Sequence, residues 1–150
     1  MGYKGVLKMA TEEFIRYRSE YKYQLADGYT IEISIKPKQA IETDFINLDE
    51  AGILLIKNGY AWDGPSFPLI DTDENIRASL VHDALYQLMR NEELSSRADR
   101  KAADQMFKDI CKTDGISNFK ASFYYMGLRV FGKPAASLQN KKVEHRAPGN

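Results

Sequence analysis

Residues 81–90 read VHDALYQLMR and place His82, Asp83 and Tyr86, an imidazole, a carboxylate and a phenol, within about one helical turn. At about 100° per residue, Asn75, Ser79, His82, Asp83, Tyr86 and Arg90 share one arc of a helix. That arc holds no Lys or Glu, the usual residues of a wet helix face. An imidazole with one N–H held by a carboxylate keeps the tautomer of a general base. Asp104 is the carboxylate best placed for this. It flanks the apolar stripe of the next helix, and the short connection from Asn91 to Ser96 makes the two helices antiparallel neighbours. Asp83 is then left to bind a cation. The competing reading is that the same arc is the solvated side of a surface helix.

The segment before this helix, NGYAWDGPSFP at residues 58–68, holds two Gly and two Pro and reads as a loop. Asp63, Gly64 and Ser66 lie in it, where a tight turn can aim carbonyls or N–H groups at one point. Calcium takes six to eight oxygens, and Asp63, Asp83 and loop carbonyls are candidates to supply them. Asp63 is equally read as an Asx-type turn residue, and Trp62 as core packing rather than a ligand-stacking ring. A zinc site fits poorly. The chain has two histidines, one of them, His145, in a polar tail, and its lone Cys111 reads as a buried spectator thiol.

Patterning upstream and downstream fixes what must position these groups. Tyr21, Tyr23 and Leu25, then Tyr29, Ile31, Ile33 and Ile35, alternate on both sides of Asp27-Gly28, which predicts a hairpin. Ile15 and Tyr17 continue the same face. A second hairpin is expected through FINLDEAGILLIK, with its turn at Asp49 to Gly52. From Asn75 the period becomes helical: Ile76, Leu80, Val81, Ala84, Leu85 and Leu88 to about Asn91. A second helix opens at Ser96, with Asp99 completing a capping-box pattern, carries Ala103, Met106, Phe107 and Ile110, and stops at Gly115. A third runs from Ser117 to Phe131 with Phe119, Phe123, Met126 and Val130 on one face, and Gly132 and Pro134 end it.

The expected fold is α+β: a small N-terminal antiparallel β-sheet of two hairpins, strands at about 13–62, packed on a C-terminal bundle of about three helices at 75–131. Residues 1–132 form one domain, the loop occupies 58–74, and 133–150 is a polar, aperiodic tail expected to be disordered.

The 150 residues suffice for one domain with its own core. Twenty-one basic and twenty-one acidic residues cancel, which argues against general nucleic-acid binding. One cysteine allows no intrachain disulfide. The N-terminus MGYKGVLKMATEEF lacks a signal-peptide core, and the apolar runs are too short for a membrane span. Synthesis in a host cytoplasm is expected, with carriage in a virion left open.

GYAWDGPSFP, RASLVHDALYQLMR, RADRKAADQMF and YYMGLRVFG together resemble a family found mainly in phages and prophages, catalogued as domain of unknown function 1353. The matching residues are Asp63 to Ser66 with Pro68, His82 to Tyr86, Ala103 to Phe107, and Phe131-Gly132. A second, local resemblance is to phospholipases A2, whose His-Asp-x-x-Tyr helix faces an Asp on an antiparallel partner. It implies His82 as the base for water, Asp83 as a calcium ligand, Asp104 as the residue orienting His82, and Tyr86 as support. ADQMF also looks similar to a Lys-Ala-Asp-Gln-x-Phe run in the phospholipase domains of parvovirus capsids, which dispense with disulfides. This chain departs in replacing the glycine-rich calcium loop by Trp62-Asp63-Gly64-Pro65, where Pro65 lacks an N–H.

Three functions are therefore open. One is a calcium-dependent, phospholipase A2-like ester hydrolase acting on phospholipid or another ester. Another is a non-enzymatic phage accessory or virion protein, partnered with tail or capsid proteins, in which the same residues form a structural polar network. The third is a host-directed binding protein using Tyr17, Tyr21, Tyr23 and Tyr29, which are otherwise the packed side of the sheet.

Overall fold

Alternating side chains in the N-terminal half and a 3.6-residue period in the C-terminal half give strands followed by helices, in a computed structural model that describes Ile15, residues 17–18, 23–64 and 72–137. The strands are β1 (Tyr17–Arg18), β2 (Tyr23–Leu25), β3 (Tyr29–Glu32), β4 (Ile41–Glu42), β5 (Ile46–Leu48), β6 (Ile53–Ile56) and β7 (Ala61–Trp62). The helices are α1 (Asp73–Arg90), α2 (Ser96–Thr113) and α3 (Asn118–Phe131). The architecture is α+β, with two antiparallel sheets ordered β1-β2-β7 and β3-β6-β5-β4.

The second expected hairpin forms as β5 and β6. Asp49 closes its turn by accepting from the Ala51 and Ile53 amides at 3.0 and 2.8 Å. Gly52 is required there, with φ of 86° and a Cβ position 2.5 Å from the Ile33 carbonyl oxygen. Asp27-Gly28, by contrast, closes no hairpin. β2 pairs with β7 while β3 pairs with β6. Both pairings keep one register, from Glu32 opposite Ile53 to Tyr23 opposite Trp62. Residues 23–32 thus form one bent antiparallel partner of 53–62, bridged at the bend by Leu25 and Gly59–Tyr60. Alternation through the bend is preserved because the chain continues along the ladder rather than reversing, so Leu25, Tyr29, Ile31, Ile33 and Ile35 all face inward.

α1 is buried on most of its circumference, from Ile76, Ala78, Leu80 and Val81 to Leu85, Leu88 and Met89. A helix buried on most sides, with its polar groups hydrogen-bonded, belongs in the middle of a domain. Arg77 ties it to its surroundings. Its guanidinium donates twice to Asp114, at 2.9 and 2.6 Å, and to the Tyr29 hydroxyl at 3.0 Å. The reading of this helix as a wet surface element therefore fails.

α2 buries Ala103, Phe107, Ile110 and Cys111, with Met106 partly buried. Its cap is Ser95, whose hydroxyl accepts from the Ala98 amide at 3.2 Å, one residue earlier than the expected Ser96–Asp99 box. Burial, then the Asp114 charge, pushes the Cys111 thiol up to about 12. The native protein should accordingly stay unmodified by a thiol reagent at about pH 8 and react fully once denatured; native labelling within seconds would contradict this burial.

α3 lies turned the other way from the expected packing. Phe119, Phe123, Met126 and Val130 do share a face, but that face points to solvent, and Ala121 and Tyr124 are the buried positions. Ala121 allows close approach, and Tyr124 meets Phe107 edge-on at 6.4 Å between ring centroids. The carbonyls of Leu128 and Arg129 accept from the Arg100 guanidinium at 3.1 and 3.3 Å, which fixes the rotation of the helix end. The chain also stays with the fold beyond Gly132: Pro134–Ala136 make a 3-10 turn, Ala136 is buried, and Arg90 donates to the Ala135 carbonyl at 3.0 Å. The expected tail residues from 138 onward lie outside the described residues.

Candidate functional site

Asp104 is fully buried on α2, where an unpaired carboxylate would be strongly unfavourable. It is paired on both oxygens. Oδ1 accepts from the Tyr86 hydroxyl at 2.6 Å and lies 2.8 Å from His82 Nε2. Oδ2 accepts from Arg129 Nη1 at 2.8 Å and lies 3.6 Å from Arg100 Nη1. All three helices thus converge on one carboxylate. Burial alone would raise the Asp104 carboxyl, but the hydrogen bonds from His82 and Tyr86, the His82 charge and the Arg129 guanidinium outweigh it and hold the group below its ordinary range. Burial, then the Asp104 hydrogen bond and charge, keeps the Tyr86 phenol protonated and donating well above its usual range.

A carboxylate can only accept, so Nε2 of a neutral His82 carries the proton and Nδ1 carries the lone pair. Among the described residues no hydrogen bond to Nδ1 is formed. The ring packs against Tyr86, with centroids 4.0 Å apart, and meets Phe107 edge-on at 5.5 Å. The side chain retains 12% exposure, so the imidazole is held but not sealed.

The arc of α1 splits at this point. His82 and Tyr86 turn toward α2 and α3, whereas Ser79, Asp83 and Gln87 turn toward β7 and the residues before it. Asp83 Oδ2 accepts from the Tyr60 hydroxyl at 2.9 Å, and Gln87 Oε1 lies 3.2 Å from the same oxygen. Burial first, then Asp83, holds the Tyr60 phenol well above its ordinary value, with Asp63 adding to the effect. Trp62 is core: 2% exposed, it donates from Nε1 to Ser79 Oγ at 2.9 Å. Asp63 is exposed, Gly64 has φ of 76°, and Ser66 lies outside the described residues.

Asp83 therefore bonds the Tyr60 phenol, and the Asp63 charge acts on the same group. Among the described residues no three His, Cys, Asp or Glu side chains converge as metal ligands.

Sequence reasoning brought His82, Tyr86 and Asp104 together and missed Arg100, Arg129, Tyr60 and Gly132. Arg100 carried a signal, since it stands four residues before Asp104 on the same helix. Arg129 carried none, because its approach depends on how α3 is rotated. Gly132 is a packing requirement: a Cβ there would lie 2.5 Å from both the Tyr86 hydroxyl and the Leu128 carbonyl oxygen. Gly132→Ala should lower stability by about 1–3 kcal/mol by displacing Tyr86 from Asp104. In thermal melts its cost should be smaller in a Tyr86→Phe background, where only the Leu128 carbonyl collision remains, and full additivity would show that the Tyr86 hydroxyl plays no part.

A family model described as protein of unknown function (DUF1353) matches residues 39–128. No curated protein and no solved structure matches the chain. The matched span runs from before β4 into α3, and it includes Tyr60, His82, Tyr86, Arg100 and Asp104 while ending one residue before Arg129. Matched over more than half its length, the chain belongs to the family of proteins of unknown function DUF1353.

Proposed function

We propose that the chain is a small ester hydrolase of phage or prophage origin in which His82 is the general base and Asp104 orients it. The observation that carries this reading is the His82–Asp104 pair itself: a fully buried carboxylate on Nε2, with Nδ1 left to a reacting water. In the reaction, Nδ1 takes a proton from water as the water oxygen attacks the ester carbonyl. Asp104 accepts the Nε2–H bond and stabilises the imidazolium formed. When the tetrahedral intermediate collapses, the carbonyl–alkoxide bond breaks and the imidazolium returns the proton to the leaving alkoxide. Asp104 does not itself become protonated. Arg129 draws on the same carboxylate, which tempers the stabilisation and favours a modest rather than a fast catalyst.

Phospholipids are the ester class that the phospholipase A2-like arrangement supports. The test is hydrolysis of short-chain phospholipids and simple aryl esters by the wild type and His82→Asn, each with and without calcium. Turnover lost in His82→Asn supports the reading. A calcium requirement that disappears in Asp83→Asn adds a cation to it, and equal rates for wild type and His82→Asn overturn it.

A second reading is favoured by the two arginines on Asp104. In it the node is structural, locking three helices, and the chain is a non-enzymatic accessory or virion protein. A fully satisfied buried network can serve that purpose. Copurification with tail or capsid components, with no ester turnover, would select it. A host-directed binder using the tyrosines draws less support, since Tyr29 is buried and Tyr23 packs on Trp62 at 5.4 Å; Tyr21 and the Tyr17 side chain lie outside what is described.

A further inference from the structure

We infer that the outward face of α3 docks on an anionic lipid surface. Phe119, Phe123, Met126 and Val130 are 86, 59, 64 and 68% exposed, at spacings that keep them on one side of the helix, and Phe131 beside them is 65% exposed. Large apolar side chains are exposed singly on ordinary surfaces; a continuous row of them marks an interaction site. The helix turns its apolar stripe outward and buries Ala121 and Tyr124 instead, so the stripe is not a remnant of core packing.

Charge identifies the partner. The whole chain is neutral, yet the described residues from Gly115 to Ser137 include three basic residues, Lys120, Arg129 and Lys133, and no acidic one; Arg129 is spent on Asp104, which leaves the two lysines. Lys120 and Lys133 are exposed at the two ends of the stripe. An apolar row bordered by cations is the pattern of a helix lying in a membrane interface, apolar side in the acyl boundary and amines at anionic headgroups. A second copy of the chain would bring like charges together. A lipid surface needs no matching shape. Among the described residues no helix is long and apolar enough to cross a membrane, so the contact is with the surface. This inference does not rest on the hydrolase reading.

The test is sedimentation of the full chain with mixed phosphatidylglycerol–phosphatidylcholine vesicles and with phosphatidylcholine vesicles alone. Wild type should bind the mixed vesicles, more weakly at high salt, and bind phosphatidylcholine poorly. Phe119→Ser/Phe123→Ser should weaken binding on the order of a hundredfold, and Lys120→Glu about tenfold. The melt of the double Phe variant should match wild type, because its changed side chains are exposed. His82→Asn should bind like wild type, which separates docking from turnover. No binding to anionic vesicles, equal binding by the double Phe variant, or a concentration-dependent dimer that this variant abolishes would each overturn the inference.

Discussion

Asp104→Ala is expected to destabilise the protein by about 3–5 kcal/mol, a fall of roughly 10–15 °C in Tm for a domain of this size. The loss exceeds that of an ordinary hydrogen bond because removal of one group strands four. His82, Tyr86 and Arg129 each forfeit a short hydrogen bond, and Arg100 is deprived of its nearest carboxylate. Two guanidiniums are then left near a cavity with no compensating charge. Asp104→Asn should cost less at neutral pH, since it keeps an acceptor for Tyr86, and the two variants together separate charge from hydrogen bonding. The pH dependence follows from the depressed Asp104 carboxyl. A group lowered on folding contributes stability that is present above its unfolded value, about 3.9, and is lost as pH falls through the folded one. The advantage of wild type over Asp104→Asn should therefore shrink as pH falls below about pH 4. Chemical denaturation across that range measures it. A cost under about 1 kcal/mol for Asp104→Ala would mean that water replaces the carboxylate and that the node does not hold the helices together.

How much of this was legible in the sequence depended on whether a signal was local. Period-two alternation marked the inward residues from Leu25 to Ile35 correctly, because the side-chain face is a property of the strand alone. It could not tell that Asp27-Gly28 bends a ladder rather than reversing it, since both paths preserve parity, and only the partner strand distinguishes them. Helices α1 and α2, and the meeting of His82 with Asp104, followed from helical spacing and a short connection. The rotation of α3 did not follow. A stripe of Phe119, Phe123, Met126 and Val130 reads as a core face by hydrophobicity. What sets the helix is the Arg100 contact with its last carbonyls and the Arg129 contact with Asp104, and neither has a periodic signature. The partner of Asp83 was hidden for the same reason: spacing puts Asp83 beside His82 on the helix, but the hydrogen bond from Tyr60, twenty-three residues earlier, has no local signature.

His82→Gln is expected to reduce ester turnover by about 10²–10⁴-fold while changing stability little. The amide nitrogen of Gln overlays the imidazole Nε2 and can still donate to Asp104 Oδ1, so the buried carboxylate keeps a partner where Nε2 stood at 2.8 Å. It has no basic lone pair to offer water, however, and the loss falls on the step in which the proton moves. It should therefore appear in kcat with KM nearly constant, because the base acts in the transition state and not in holding the substrate. Tyr86→Phe supplies the contrast. It removes the 2.6 Å hydrogen bond to Asp104 but leaves the imidazole and its Nδ1 in place. Its cost should be about 0.5–1.5 kcal/mol of stability and less than about tenfold in kcat. A structural node makes the opposite demand: both substitutions would act through Tm alone, in proportion to the hydrogen bonds each removes, and neither would have a rate to change. The two readings thus divide on a pair of variants one helical turn apart. The decisive comparison is whether the variant that barely melts earlier is the one that stops working.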